Sequence, residues 1–316
     1  MNYDIAIQKR NEAHTNAKII ADIAGAKGPE WRRVTARQAA GMTQSNVPAY
    51  FMSKEIVRVI EDAADGLPDV FSLLPDDTPT PTGFMIIEGG MEVPKLGVTH
   101  AGERPWDAFA WGHNTEPVGA TLPATSFRQA GISKGRAGLA MMDFCTSDAR
   151  WHIGARGNLY PVDATAWPWG MSLADKSIEA ADAQMDIHTE AEHDEMVVVY
   201  ERMLRLYATA FMFMRQKILV PYRQPTSRGE RRRAKREGRE PEDVFVIRLR
   251  AREARVRAAE SSQTTEWARR WIVRGHWRNQ WYPSLNMHQP KWIGPYIKGP
   301  DGKPLVEPEK MFAVVS

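Results

Sequence analysis

His276 lies between Arg274 and Arg278 in the stretch "WARRWIVRGHWRNQWYPS" at 267–284, with Gln280, Tyr282 and Ser284 downstream and His288 beyond. These residue types could carry metal-independent cleavage of RNA. That reaction needs a base for the 2′-hydroxyl, an acid for the leaving oxygen and cations for the phosphorane. The spacing nominates His276, Arg278 and Tyr282 as the catalytic set, and the set calls for no cofactor and no metal. The same arginines also suit simple phosphate binding, because a guanidinium presents a planar fork to two oxygens and sheds its water readily.

Read in alternation, the stretch sorts itself. Arg270, Ile272, Arg274, His276, Arg278 and Gln280 fall on one side of an extended chain, and Trp271, Val273, Gly275, Trp277, Asn279 and Trp281 on the other. The preceding "VFVIRLR" repeats the pattern, with Phe245, Ile247 and Leu249 opposite Arg248 and Arg250. Two such strands side by side would share an arginine-rich face. The tract "RGERRRAKR" just upstream adds Arg231, Arg232 and Arg233. The expected nucleic-acid contacts are therefore Arg231, Arg232, Arg233, Arg248, Arg250, Arg270, Arg274 and Arg278. Trp267, Trp281, Tyr282, Trp292 and Tyr296 supply rings on which bases could stack. The plain alternative is a solvated face, since cations on edge strands also prevent aggregation.

Charge separation favours a polyanionic partner. Arg215 to Arg278 holds nineteen Lys and Arg against eight Asp and Glu, whereas Asp163 to Glu201 holds ten acidic residues and one lysine. A clustered field acts on polyanions even when the net charge is only +3. RNA or DNA is the first partner this implies, and an acidic host protein the second. Cys145 stands alone, which rules out an internal disulfide and suits a reducing cytoplasm. The charged N-terminus does not read as a secretory signal. The apolar run Leu206–Met214 is bounded by arginines and far shorter than the ~20 residues of a membrane span.

The elements that must hold these residues read as α+β, with N-terminal helices and a small antiparallel sheet, a long central apolar helix and a C-terminal antiparallel sheet. Residues 1–170 form a mixed N-terminal region. Its first helix runs through "IAIQKRNEAHTNAKIIADIAG", and a second is striped by Ile56, Val57, Val59 and Ile60 behind a Ser53 cap. Gly89-Gly90 is the expected hairpin turn of "GFMIIEGGMEVP"; "DAFAWGH", "GATLPATSF" and "GLAMMDFCT" are strands, and "VDATAWPWG" an irregular loop. Residues 171–222 are helical, first acidic and then apolar, until Pro221 stops them. Residues 223–243 read as a basic flexible linker, and 244–316 as antiparallel strands.

Other constellations are weaker. His188 and Glu192 are four residues apart and could share a metal on a helical face, although an acidic first turn is what the helix dipole favours anyway. "GISKGRAG" lacks the order of a phosphate loop and reads as a turn. Cys145, with His152 nearby in sequence, reads as a small buried hydrophobe.

At "RGHWRNQWYPS", followed by "WIGPYIKGPDGKPLV" and preceded by "FVIRLR", the chain resembles a group of uncharacterised proteins from actinobacteria and their phages and plasmids. The resemblance covers the last ~75 residues and implies a mobile-element context. It assigns no functional residue. Together these features imply a phage or mobile-element protein that binds RNA or DNA through a basic C-terminal sheet, with metal-independent RNA cleavage as its possible chemistry; a non-enzymatic inhibitor or adaptor binding a host protein is the alternative.

Overall fold

A computed structural model describes residues 3–27, 37, 39–69, 71–92, 106–114, 137–146, 159–170, 172, 190–249, 269–284, 286–300 and 302–306. The chain is α+β and divides into two compact units: Met1–Asp65 with Asp69–Arg250, and Gly66–Pro68 with Ala251–Ser316.

The first unit is built on a seven-stranded mixed sheet in the order β5-β4-β3-β2-β1-β7-β6. Its strands are β1 (Ala49–Met52), β2 (Thr82–Met91), β3 (Trp106–Asn114), β4 (Gly138–Thr146), β5 (Leu159–Pro168), β6 (Leu219–Gln224) and β7 (Val244–Leu249). β1 is parallel to both β2 and β7, and the remaining pairs are antiparallel. Alternation along the strands feeds two layers. Ala49, Phe51, Phe84, Ile86, Ala108, Ala110, Met142, Phe144, Val244 and Val246 pack against Ala6, Ile7, Ala13 and Ala17 of α1 (Ile5–Lys27). On the opposite face Trp106, Phe109 and Trp111 meet Tyr207 and Phe211 of α3 (Glu190–Arg215), with ring centroids 4.7–6.2 Å apart. Every residue from Leu206 to Met214 of α3 is buried, because α2 (Lys54–Ala64) packs on this helix as well. Arg202 and Arg205 tie it to Asp65 and Asp69.

Several elements depart from the sequence reading. Gly89 and Gly90 take φ of 79° and 74°, but they bulge β2, which pairs on to Met91 against Trp106, rather than closing a hairpin. The segment 162–170, expected as an irregular loop, runs as edge strand β5 (Leu159–Pro168) through residue 168. Its prolines are tolerated because one side of an edge strand bonds to no neighbour. The central helix stops at Arg215; Lys217 turns the chain at φ 55° and edge strand β6 follows, carrying Pro221. β7 belongs to this large sheet, not to a C-terminal one.

The expected linker 223–243 is folded. It contains the end of β6 and helix α4 (Arg228–Arg236). Ser227 caps the helix, its Oγ accepting from the Glu230 amide at 3.2 Å. Serine three residues before glutamate is the sequence mark of such a start. Ser227→Ala is expected to cost about 1 kcal/mol of stability in chemical denaturation, the usual effect of removing an N-cap.

On β3, His113 Nε2 lies 2.6 Å from Thr78 Oγ1. Burial pushes the imidazole pKa below its usual value, against an opposing pull from Asp76. The unfolded chain then binds a proton at higher pH than the folded one. This contribution to stability is complete above about pH 6.5 and is lost as pH falls through the lowered folded value. His113→Asn is expected to flatten that part of the stability–pH curve, read from urea midpoints.

The second unit holds two small sheets. β9 (His276–Tyr282) pairs antiparallel with β10 (Met287–Ile293), and β8 (Arg270–Val273) lies between β11 (Tyr296–Lys298), antiparallel, and β12 (Leu305–Val306), parallel.

Candidate nucleic-acid interface

Helix α4 presents the densest set of described cations. Arg228, Arg231, Arg232, Lys235 and Arg236 are all exposed and recur at three- and four-residue steps, so they share one face. Glu230 and Ala234, on the opposite side, are buried. Among the described residues none of the five forms an ion pair with a carboxylate.

Two local effects work against this arrangement. Like charges three and four apart repel by about 0.2–0.5 kcal/mol per pair. The helix dipole rewards cations in the last turn, where Lys235 and Arg236 lie, but disfavours Arg228 and Arg231 near the N-terminus. The stripe is held together against its own repulsion.

A buried network holds this helix in place. Glu230 receives Arg239 Nη2 at 3.1 Å and lies 3.6 Å from Arg233 Nη1. Arg239 reaches Glu242 at 3.8 Å, and Glu242 accepts from both Nη atoms of Arg10 at 2.6 and 2.9 Å. Arg10, on α1, is wholly buried and also donates to the Val47 carbonyl. The chain of charges thus links α4 to α1. Arg233 is exposed like its neighbours but lies at the margin of this network, 3.6 Å from Glu230. A groove of about 650 Å³ runs between α1 and α4, lined by Glu12, His14, Thr43, Glu230, Arg233 and Arg239. Its mixed signs set it apart from the cationic face.

In the second unit, residues 270–282 are extended but not one strand. The chain leaves its strand at Arg274 and Gly275, and β8 and β9 pair with different partners. A methyl on Gly275 would collide with the Trp292 indole, so the break is where this ring lies on backbone. The sorting of faces survives within β9. Trp277 and Trp281 stand opposite Trp292 and His288, with ring centroids 5.3 and 4.9 Å apart. His276, Arg278 and Gln280 occupy the other face. Trp281 is 42% exposed, while Trp277 and Trp292 are half-buried and Gln289 and Pro290 of β10 are buried.

The expected shared face of two adjacent arginine strands is not formed. β7 has β1 and β6 as neighbours, and β8 and β9 lie in other sheets. Arg248 stacks 4.7 Å over the exposed Tyr222 ring. Arg250 lies outside the described residues. Arg270, in β8, is half-buried, and Arg274 is exposed.

The catalytic set is not assembled either. His276 and Tyr282 end the same strand, six residues and therefore about 20 Å apart. They cannot serve one phosphate. The His276 ring does have a defined setting: its Nδ1 donates to the Arg274 carbonyl at 3.1 Å, so Nε2 is the acceptor of the neutral ring.

Among the described residues no three His, Cys, Asp or Glu are grouped to hold a metal, and no helix is long and apolar enough to cross a membrane. His188, His152 and the segment 131–136 lie outside the described residues. Sequence reasoning missed Lys291, which the hairpin register sets directly opposite Arg278; the spacing of the two in sequence gave no sign of it.

No protein-family model and no curated protein matches the chain. A solved structure, "Crystal structure of AcrVA2", is similar at 15% identity with a TM-score of 0.36, over 94% of this chain and 99% of that one. A likeness at that score supports no statement about fold or function.

Proposed function

We propose that this protein binds nucleic acid, with the exposed face of α4 laid along the phosphate backbone. The observation that carries the reading is the stripe Arg228, Arg231, Arg232, Lys235 and Arg236, opposite the buried Glu230 and Ala234 and without carboxylate partners among the described residues. Repulsion within the stripe is relieved by phosphates, and contact with a backbone is independent of sequence. The bacterial cytoplasm is the setting we infer, in a phage or plasmid context, from the C-terminal resemblance and the lone cysteine.

A second reading is a host-protein-binding inhibitor or adaptor. The specific observation in its favour is the cross-strand pair Ile272 and Ile297, 37% and 53% exposed. Exposed apolar pairs on a small sheet fit a protein surface better than a sugar–phosphate chain.

Titrating the purified protein with labelled RNA, labelled DNA and labelled polyglutamate separates the two. Tight nucleic-acid binding that polyglutamate does not displace supports the first. Binding of polyglutamate with none of RNA or DNA removes it in favour of an acidic protein partner.

A further inference from the structure

The hairpin β9–β10 sets two cations face to face. In its register Arg278 faces Lys291, flanked on the same side by the pairs Gln280–Gln289 and His276–Ile293. Arg278 and Lys291 are both exposed. Like charges directly opposite one another on a sheet destabilise it, where Lys–Glu or Thr–Thr would stabilise it.

Among the described residues of the hairpin there is no Asp or Glu to offset the repulsion. From Trp267 to Pro300 there is no Asp or Glu, against six Lys and Arg. Protection of a sheet edge needs only isolated charges, so it does not account for two cations set face to face. The hairpin holds them firmly. On its other side Trp277 and Trp292 are also directly opposed, with edge-to-face rings, and Trp292 lies on the Gly275 backbone.

We infer that Arg278 and Lys291 together clamp one phosphodiester of a nucleic-acid strand. The guanidinium offers a fork and the ammonium a point charge to the same anionic group. Gln280 and His276 border the clamp. The inference rests on the nucleic-acid reading above and adds to it a site in the other compact unit, with Lys291 as a binding residue.

The test uses the full-length protein with Arg278→Glu and Lys291→Glu made singly and Lys291→Gln as a milder variant. Each reversal turns an opposed like pair into an opposite pair, so thermal stability is expected to hold or rise. Affinity for a labelled oligonucleotide is nonetheless expected to fall on the order of tenfold, and the slope of log K against log salt to flatten by about 0.7–0.9 for each phosphate no longer engaged. Lys291→Gln is expected to lose less in affinity and nothing in stability. Unchanged affinity in all three variants, with α4 reversals still weakening binding, overturns the clamp and leaves the broader reading intact. A drop in affinity found only in variants that also melt earlier overturns it as a folding effect. If the wild-type protein binds no oligonucleotide, the broader reading fails and the clamp with it.

Discussion

Reversing Arg231, Arg232 and Lys235 to glutamate is expected to weaken oligonucleotide binding by at least two orders of magnitude at moderate salt. The same change should flatten the dependence of log K on log salt by about 2–3, since each engaged phosphate contributes about 0.7–0.9. All three side chains are exposed and lie away from the buried Glu230 and Ala234, so the fold should tolerate the change. Acids at 231 and 232 relieve a cost that the native sequence carries near the helix start, and this offsets the unfavourable acid at 235 in the last turn. Circular dichroism should report an unchanged helix content and urea denaturation an equal or higher midpoint. A large loss of affinity in a fully folded variant is the signature of a binding surface.

Arg10→Met is expected to have the opposite profile. Arg10 has no exposed surface, yet its guanidinium serves Glu242 with two bonds, the Val47 carbonyl and Asn11 Oδ1. Removing one member of such a pair strands the other, at roughly 3–5 kcal/mol. For a unit of this size the melting temperature should fall by on the order of 10 °C. The companion change Glu242→Leu should recover much of that loss, because an apolar pair no longer leaves a stranded carboxylate. Recovery will be partial, since Glu242 also lies 3.8 Å from Arg239. Calorimetry of the single and double variants measures both effects. No recovery in the double variant would show that Arg10 acts through packing alone.

Strong local patterns were legible in the sequence. The α2 stripe, the strand 138–146 and the α+β class follow from periodicity alone, because each buries one face or sits wholly in the core. Where edge position decides, periodicity fails: β5 and β6 carry prolines that read as breaks, and only the sheet order shows why they are tolerated. Parallel pairing of β1 with β7 joins segments some two hundred residues apart, which no local signal announces. Helix α4 was missed because its composition is that of a solvated linker. The serine–glutamate spacing at 227 and 230 marked its start, but its docking depends on Arg10, far away in sequence. For the interface, alternation within β9 was readable, whereas the break at Gly275 and the opposition of Arg278 to Lys291 depend on pairing partners.

The most direct measurement is a fluorescence titration of the wild-type protein with a labelled oligonucleotide across a salt series. With five cations of α4 engaged, the slope of log K against log salt is expected at about −3.5 or steeper. A near-zero slope, or no binding even at low salt, would contradict the claim that this surface exists to meet phosphate.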